Sequence, residues 1–290
     1  MALPLGTDDD PGGEHAPRDP ELDRLELELL LEAIHRRYGF DFREYAPASL
    51  KRRVWRRIRA EELQSITGLQ EAVLHDPQVM ERLLLDLSIN VTSMFRDPSF
   101  YSSFRAHVVP LLKTWPFLRV WNAGCSTGEE TYSLAILLEE EGLLERTRIY
   151  ATDINETVLD QARRGVFPLE KMQEYTHNYL RAGGTRAFSE YYLTAYDSAQ
   201  FQRSLVDNVV FAQHNLASDR SFNEFHAIVC RNVMIYFDRS LQDRVHELFY
   251  ESLAMFGVLV LGHKESIRFT RFADRYEEVD ANERIYRKVA

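Results

Sequence analysis

Cysteine is scarce in this chain, with only Cys125 and Cys230 among 290 residues. Two thiols cannot build a disulfide framework, so a reducing, cytoplasmic setting is expected. Long apolar runs are missing too. None approaches the roughly 20 residues that a membrane-spanning helix needs, and no membrane insertion is expected. The first ten residues lack the charged-then-apolar pattern of a secretory signal. The histidines show no H-x-x-x-H spacing, so no metal centre is expected. Positive charge is in deficit: the formal net charge is −10. That argues against nucleic acid as a partner, because such binding rests on phosphate neutralisation by Lys and Arg. What remains is an ordinary globular composition, 45% hydrophobic and 28% charged, long enough for one large domain or two modest ones.

Residues 1–20 are acidic, contain Gly and Pro, have little to bury, and are expected to form a disordered tail. Residues 21–90 read as a small helical domain. Over 21–38, Leu22, Leu25, Leu29, Ala33 and Ile34 recur at helical spacing. A second helix over 49–61 points Leu50, Val54, Trp55 and Ile58 inward, with Lys51, Arg52, Arg53, Arg56, Arg57 and Arg59 around the rest. Thr67 reads as the N-cap of a short helix ending at His75, and Pro77 starts a helix to about residue 89. From residue 91 the pattern changes to alternating strands and helices. Helices are expected over 98–113, 129–141, 156–164, 168–182 and 240–256. Strands are expected over 118–123, 147–152, 209–213, 227–230 and 258–261, with a closing antiparallel pair at 274–279 and 284–289. Between Phe188 and Phe211 the period shifts, suggesting short antiparallel strands inserted at about 185–208. The fold class is therefore α/β. A Rossmann-like, mostly parallel sheet over 91–290 carries a small antiparallel β-subdomain and follows an all-α N-terminal domain.

The chain is organised around Val120-Trp121-Asn122-Ala123-Gly124-Cys125-Ser126-Thr127-Gly128-Glu129-Glu130. A strand, a glycine turn and a helix in that order open a nucleotide-binding βαβ unit. Ligands of such sheets sit beyond the carboxyl ends of the strands, which gathers the glycine loop, Asp153, Asn215, Arg231 and Asn232 around one crevice. Asp153, about 25 positions after the loop, suits a ribose diol. Glu129 and Glu130 occupy the helix start where a dinucleotide's diphosphate would sit, and two carboxylates would repel it. A cationic or zwitterionic ligand fits better, and S-adenosylmethionine has both a sulfonium and an ammonium group. Glu129 also complements the helix dipole, whereas Glu130 is assigned to the ligand. Cys125 has no histidine beside it in sequence and is not read as a nucleophile.

Several segments carry a resemblance. Asn90-Val91-Thr92 with Phe95-Arg96-Asp97-Pro98, Cys125 through Ser133, Ala151-Thr152-Asp153-Ile154, and above all Cys230-Arg231-Asn232-Val233-Met234-Ile235-Tyr236-Phe237 look like the CheR-type chemoreceptor methyltransferases. The resemblance spans about residue 22 to the C-terminus. It implies transfer of methyl from S-adenosylmethionine to glutamate side chains on receptor cytoplasmic helices, leaving S-adenosylhomocysteine. It further implies a cofactor site of Asn90, Thr92, Arg96, Gly124, Glu130, Asp153, Asn215, Leu216, Arg231 and Asn232. Arg96 and Tyr236 would lie nearest the transferred methyl. The arginines of the second helix, Arg52, Arg53, Arg56, Arg57 and Arg59, would meet the acidic substrate helices. Three departures stand out: His226 replaces an aspartate before a strand, Lys264 interrupts a Gly-His-Ser-Glu-Ser run, and the turn Tyr196-Asp197-Ser198 has no glycine. Some relatives dock a receptor C-terminal pentapeptide on that subdomain, so independence from such a tether is expected here. The rival expectations are a non-catalytic S-adenosylmethionine-binding component of a signalling complex and a nucleic-acid methyltransferase. The latter lacks its usual aromatic-proline motif, because Asn232-Val233-Met234-Ile235 stands in that place.

Overall fold

The computed structural model describes residues 19–88 and 91–290. The acidic tail and Asn90 lie outside them, apart from the tail's last two residues. Four helices come first: α1 (Pro20–Tyr38), α2 (Pro47–Ala60), α3 (Ile66–His75) and α4 (Pro77–Leu87). Asp19 caps α1 by accepting from the Glu21 N–H, and Pro20 occupies the first turn, where no N–H is needed. The cap of α3 is Ser65, whose hydroxyl accepts from Gly68 N; Thr67, expected in that role, lies inside the first turn. On α1 the buried stripe is Leu27, Leu30, Leu31 and Ile34, while Leu22, Leu25 and Leu29 are each more than half exposed. Both leucine stripes have the helical period, so spacing alone cannot choose between them.

The main sheet has seven strands. They are β1 (Leu118–Ala123), β2 (Thr147–Asp153), β6 (Val209–Gln213), β7 (Phe225–Cys230), β8 (Leu253–Leu261), β9 (Tyr276–Asp280) and β10 (Ile285–Lys288). Their spatial order is β6-β2-β1-β7-β8-β10-β9. The first five run parallel, and β10 and β9 close the edge antiparallel. The order reverses direction between β1 and β7, which is the switch point where a doubly wound sheet opens a crevice. Helices α7 (Glu129–Glu140), α8 (Glu156–Arg164) and α10 (Arg239–Ser252) provide crossovers. Val120, Val229, Val258 and Val260 are fully buried or nearly so, as expected for strands covered on both faces.

Two boundaries differ from the sequence pattern. The segment expected to be one helix over 98–113 consists of α5 (Pro98–Ser103), a π turn at Phe104–Val108, and α6 (Val109–Leu112). Val109 N donates to Phe104 O, and Pro110, with no N–H to give, breaks the regular ladder. The last helix stops at Ser252 and β8 begins there, five residues before the expected strand, because Leu253 pairs with Phe225 across a register shift. The apolar run Leu253–Leu261 does not distinguish helix from strand by itself.

A second sheet, β3-β5-β4, consists of β3 (Val166–Pro168), β4 (Tyr192–Ala195) and β5 (Ser198–Phe201), all antiparallel. It starts at Val166, ahead of the 185–208 stretch, and α9 (Met172–Arg181) lies within it. Tyr196 takes φ +52° in the hairpin turn, a conformation that a glycine would adopt without strain. The insertion is locked to α7 through Glu140, whose side chain is fully buried. Its carboxylate accepts from Thr185 N at 2.9 Å, the Thr185 hydroxyl at 3.0 Å, Tyr191 OH at 3.1 Å, and Tyr179 OH, and it pairs with Arg105. Removing one side of a buried charge pair leaves the other uncompensated. Glu140→Ala is therefore expected to cost about 3–5 kcal/mol, measurable as a lower urea midpoint of unfolding.

Candidate functional site

The glycine loop is held to the end of β2 by two bonds, Gly124 N and Cys125 N both donating to Thr152 O at 2.8 and 2.9 Å. Gly124 sits at φ +74°, and a Cβ there would lie 2.4 Å from a Val233 methyl carbon. Residue type is thus dictated by the positive φ together with the close approach of the Val233 side chain. Phe95, Asp97, Ser126 and Asn232 also adopt left-handed backbone, with φ of 50, 55, 52 and 62°. Such strain in non-glycine residues collects at functional sites, and these four lie on the three segments that surround one cleft. The cleft opens at the sheet's switch point, where doubly wound sheets bind their ligands.

Electrostatics in the cleft centre on Arg231. Its side chain is 2% exposed and its guanidinium donates to Glu130 at 2.9 Å, to Asp97 at 2.8 Å and to the Arg96 carbonyl. It also lies 4.2 Å from the Phe100 ring centroid. Burial works against its charge, but the carboxylates Glu130 and Asp97 with Tyr101 more than offset it, so its pKa lies above the ordinary value. Asn122 donates to the other Glu130 oxygen at 2.8 Å and is itself held by Thr131. Glu129, by contrast, is buried against Thr127 and Tyr175 and does not line the cleft.

Asp153 has different surroundings. It is 8% exposed, and burial pushes its pKa from 3.8 up to about 6 against the pull of amide donors from Asn155, Ser126 and Ile154. A carboxylate here still has acceptor capacity for a pair of hydroxyls. Asn215 folds its own loop, accepting from Ala217 N at 3.0 Å while its N–H donates to Asp219. Of the charged groups that line the cleft, Glu130 and Asp153 oppose the guanidiniums of Arg96 and Arg231, and Asp97 takes up part of the Arg231 charge from outside the lining. No positive charge is left over for a diphosphate, which fits a zwitterionic or cationic ligand such as S-adenosylmethionine. The Cys125 thiol is buried and its pKa is pushed well up, so it carries no nucleophilic thiolate.

Thr92, Arg96, Gly124, Glu130, Asp153, Asn215, Leu216, Arg231, Asn232 and Tyr236 all line this cleft. Arg96 donates to the Val91 carbonyl rather than to Asp97. The arginines of α2 divide. Arg52, Arg56 and Arg59 are exposed, though Arg56 pairs with Asp86; Arg57 is held by Asp86 and Glu61; and Arg53 is buried, donating to Leu87 O. Several contributors went unread in the sequence. Tyr45, Leu87 and Ser88 bring the helical unit into the wall, and His214 and Phe237 complete it. Glu265 is the largest omission. Its buried carboxylate accepts the N–H groups of Gly262, Asn232, Val233 and Met234 at 2.6, 3.0, 3.0 and 2.8 Å. Burial raises its pKa, and the four amides oppose that shift. In the sequence this glutamate stands only as part of the run that Lys264 interrupts.

The sheet order, the glycine loop and the carboxylate-rich cleft define an α/β transferase-type scaffold for a cationic nucleoside cofactor. The chain belongs to the CheR methyltransferase family: residues 25–88 match its all-alpha domain and residues 90–285 its SAM-binding domain. A Pseudomonas putida protein named as a methyltransferase, Cher3, is 53% identical over 91% of this chain and 97% of its own length. Chemotaxis protein methyltransferase 2 of Pseudomonas aeruginosa is 32% identical over 84% of this chain and 87% of its own. The chemotaxis protein methyltransferase of Escherichia coli is 30% identical over 81% and 82%. The protein is thus an S-adenosylmethionine-dependent methyltransferase.

As a carboxylate that holds the ribose, Asp153 would make cofactor affinity pH-dependent. A carboxyl whose folded pKa is raised contributes stability that is complete below 3.8 and lost as pH rises through about 6. Hydroxyl donors from a ribose bound there would favour the ionised form, so binding would be weaker where Asp153 is protonated. The dissociation constant for S-adenosylhomocysteine, measured by calorimetry, should be flat above pH 7 and rise as pH falls below about 6. Asp153→Asn should remove that dependence and weaken binding at pH 7.5 by roughly tenfold or more.

Proposed function

We propose that this enzyme transfers a methyl group to glutamate side chains on the cytoplasmic helices of chemoreceptors, giving glutamate methyl esters and S-adenosylhomocysteine. The observation that carries this reading is that Arg96 and Tyr236, from the two most distinctive sequence segments, line the same cleft as Asp153 and Glu130. The cofactor site would comprise Thr92, Gly124, Glu130, Asp153, Asn215, Leu216, Arg231 and Asn232 with Arg96. Asn90 belongs to this assignment by resemblance and lies outside the described residues. S-adenosylmethionine supplies an activated methyl on sulfur. Everything else is a matter of placement.

A glutamate with an ordinary pKa of about 4.3 is ionised at neutral pH, so the chain needs no general base. Arg96 and Tyr236 orient the incoming carboxylate and exclude water from it. Alignment of this kind can contribute up to about 7–11 kcal/mol. The exposed stripe of Arg52, Arg56 and Arg59 attracts acidic receptor helices to the mouth. On this reading the reaction takes place in the cytoplasm. No helix among the described residues is long and apolar enough to cross a membrane, and both cysteines are unpaired. The non-catalytic alternative has no observation in its favour.

Incubation with labelled S-adenosylmethionine and a glutamate-rich receptor cytoplasmic fragment should give label that alkali releases as methanol. Label stable to alkali, or no transfer, would rule out ester formation on that substrate. The strained Tyr196-Asp197 turn also supports independence from a receptor C-terminal pentapeptide. Calorimetry with the free peptide should register no specific binding, and a strong, saturable heat would overturn that part.

A further inference from the structure

Within α2, Arg53 behaves unlike its neighbours. Arg52, Arg56 and Arg59 are exposed to water, whereas Arg53 is 6% exposed. No carboxylate among the described residues pairs with it. Its Nη1 donates to Leu87 O at 2.8 Å, and its guanidinium lies 4.9 Å from the Tyr236 ring centroid. A buried guanidinium without an anion is costly, and this one is set against an aromatic ring at the cleft.

The ring is not the only point of contact. The segment between α1 and α2 grips the same loop by its backbone. Ala46 N donates to the Tyr236 carbonyl at 2.8 Å, and Asp238 N donates to the Glu44 carbonyl at 2.8 Å. Tyr45 forms a β-bridge with Phe237, their rings 4.8 Å apart. Arg244 pairs with Glu44 outside this strap. Tyr236 is thus held at its ring and at its main chain by the helical unit, while Glu265 holds the amides of Asn232, Val233 and Met234 from the opposite side.

We propose that Arg53, with the Glu44–Ala46 strap, is a positioning residue that sets the orientation of Tyr236, and is not one of the cations that capture the receptor. This rests on the reading that Tyr236 lies beside the transferred methyl. The helical unit then has two separable tasks carried by one helix. The outward arginines govern encounter with the acidic partner, and the inward arginine governs the geometry of the reacting centre.

The two tasks predict different kinetics in the full-length enzyme with a receptor cytoplasmic fragment. Arg53→Met should lower kcat at saturating receptor by about 10–100-fold. The receptor KM, its salt dependence and the affinity for S-adenosylhomocysteine should stay near wild type. Arg52→Met and Arg59→Met should do the reverse, raising KM and flattening its salt dependence. Tyr236→Leu should also lower kcat, and the Arg53→Met, Tyr236→Leu double variant should be no slower than Tyr236→Leu alone. Arg53→Lys, which keeps the charge and loses the planar fork, should fall between wild type and Arg53→Met. A raised KM with intact kcat in Arg53→Met, or losses that multiply in the double variant, would overturn the proposal while leaving Tyr236 in place. Loss of S-adenosylhomocysteine binding in both Arg53→Met and Arg53→Lys would also overturn it, making Arg53 a fold residue. Wild-type kcat in Tyr236→Leu would instead refute the underlying assignment of Tyr236.

Discussion

Burying the Arg231 guanidinium is the constraint on which the cleft depends. It joins three segments that are distant in sequence: the loop before α5 through Asp97 and the Arg96 carbonyl, the start of α7 through Glu130, and its own loop after β7. Its two carboxylate partners, Glu130 and Asp97, would otherwise repel each other at low dielectric. Between them the guanidinium offers a planar fork and finds the Phe100 ring against its face. Such a cluster is costly to break from any side, because removal of one partner strands the others in a nearly dry site. It also leaves the cleft without surplus positive charge, which is what separates a pocket for a sulfonium cofactor from one for a diphosphate.

Around that cluster, backbone geometry is fixed by close approach. Gly124 is required because Val233 lies where a Cβ would be. Val233 lies there because Glu265 gathers the amides of Asn232, Val233 and Met234, and so sets the path of the loop. Asn232 is held at φ +62° by this arrangement. The strain is tolerated because three charge-assisted hydrogen bonds from Glu265 over-determine the loop. Arg231, immediately before it, and Tyr236, just after it, are thereby aimed into one cavity from a single short segment.

Much of this was legible in the chain. Strand positions in the parallel sheet were readable because strands covered on both faces are continuous apolar runs bounded by turns, as at Leu118–Ala123. Glu130 was separated from Glu129 by electrostatic reasoning about a helix start, and the structure turns the first into the cleft and the second into the core. Leu22, Leu25 and Leu29 formed a valid helical stripe yet lie exposed, since α1 has two such stripes and only packing against α3 selects one. Glu265 was visible only as the glutamate of the interrupted Gly-His-Ser-Glu-Ser run, and its role left no signal, because what it binds is backbone. Backbone amides have no residue identity to read.

The sequence alone therefore determined the class of fold, the place of the cleft and the charge of its ligand. Those depend on local periods, on glycines that admit close backbone approach, and on formal charges at a strand's end. Only the tertiary structure decided which of the α2 arginines turn outward, which acid organises the 232–234 loop, and how the helical unit enters the cleft wall through Tyr45 and Ser88. Each of these is a choice between faces or partners equally allowed by local sequence. It is settled by where a buried charge or amide finds its complement across the fold.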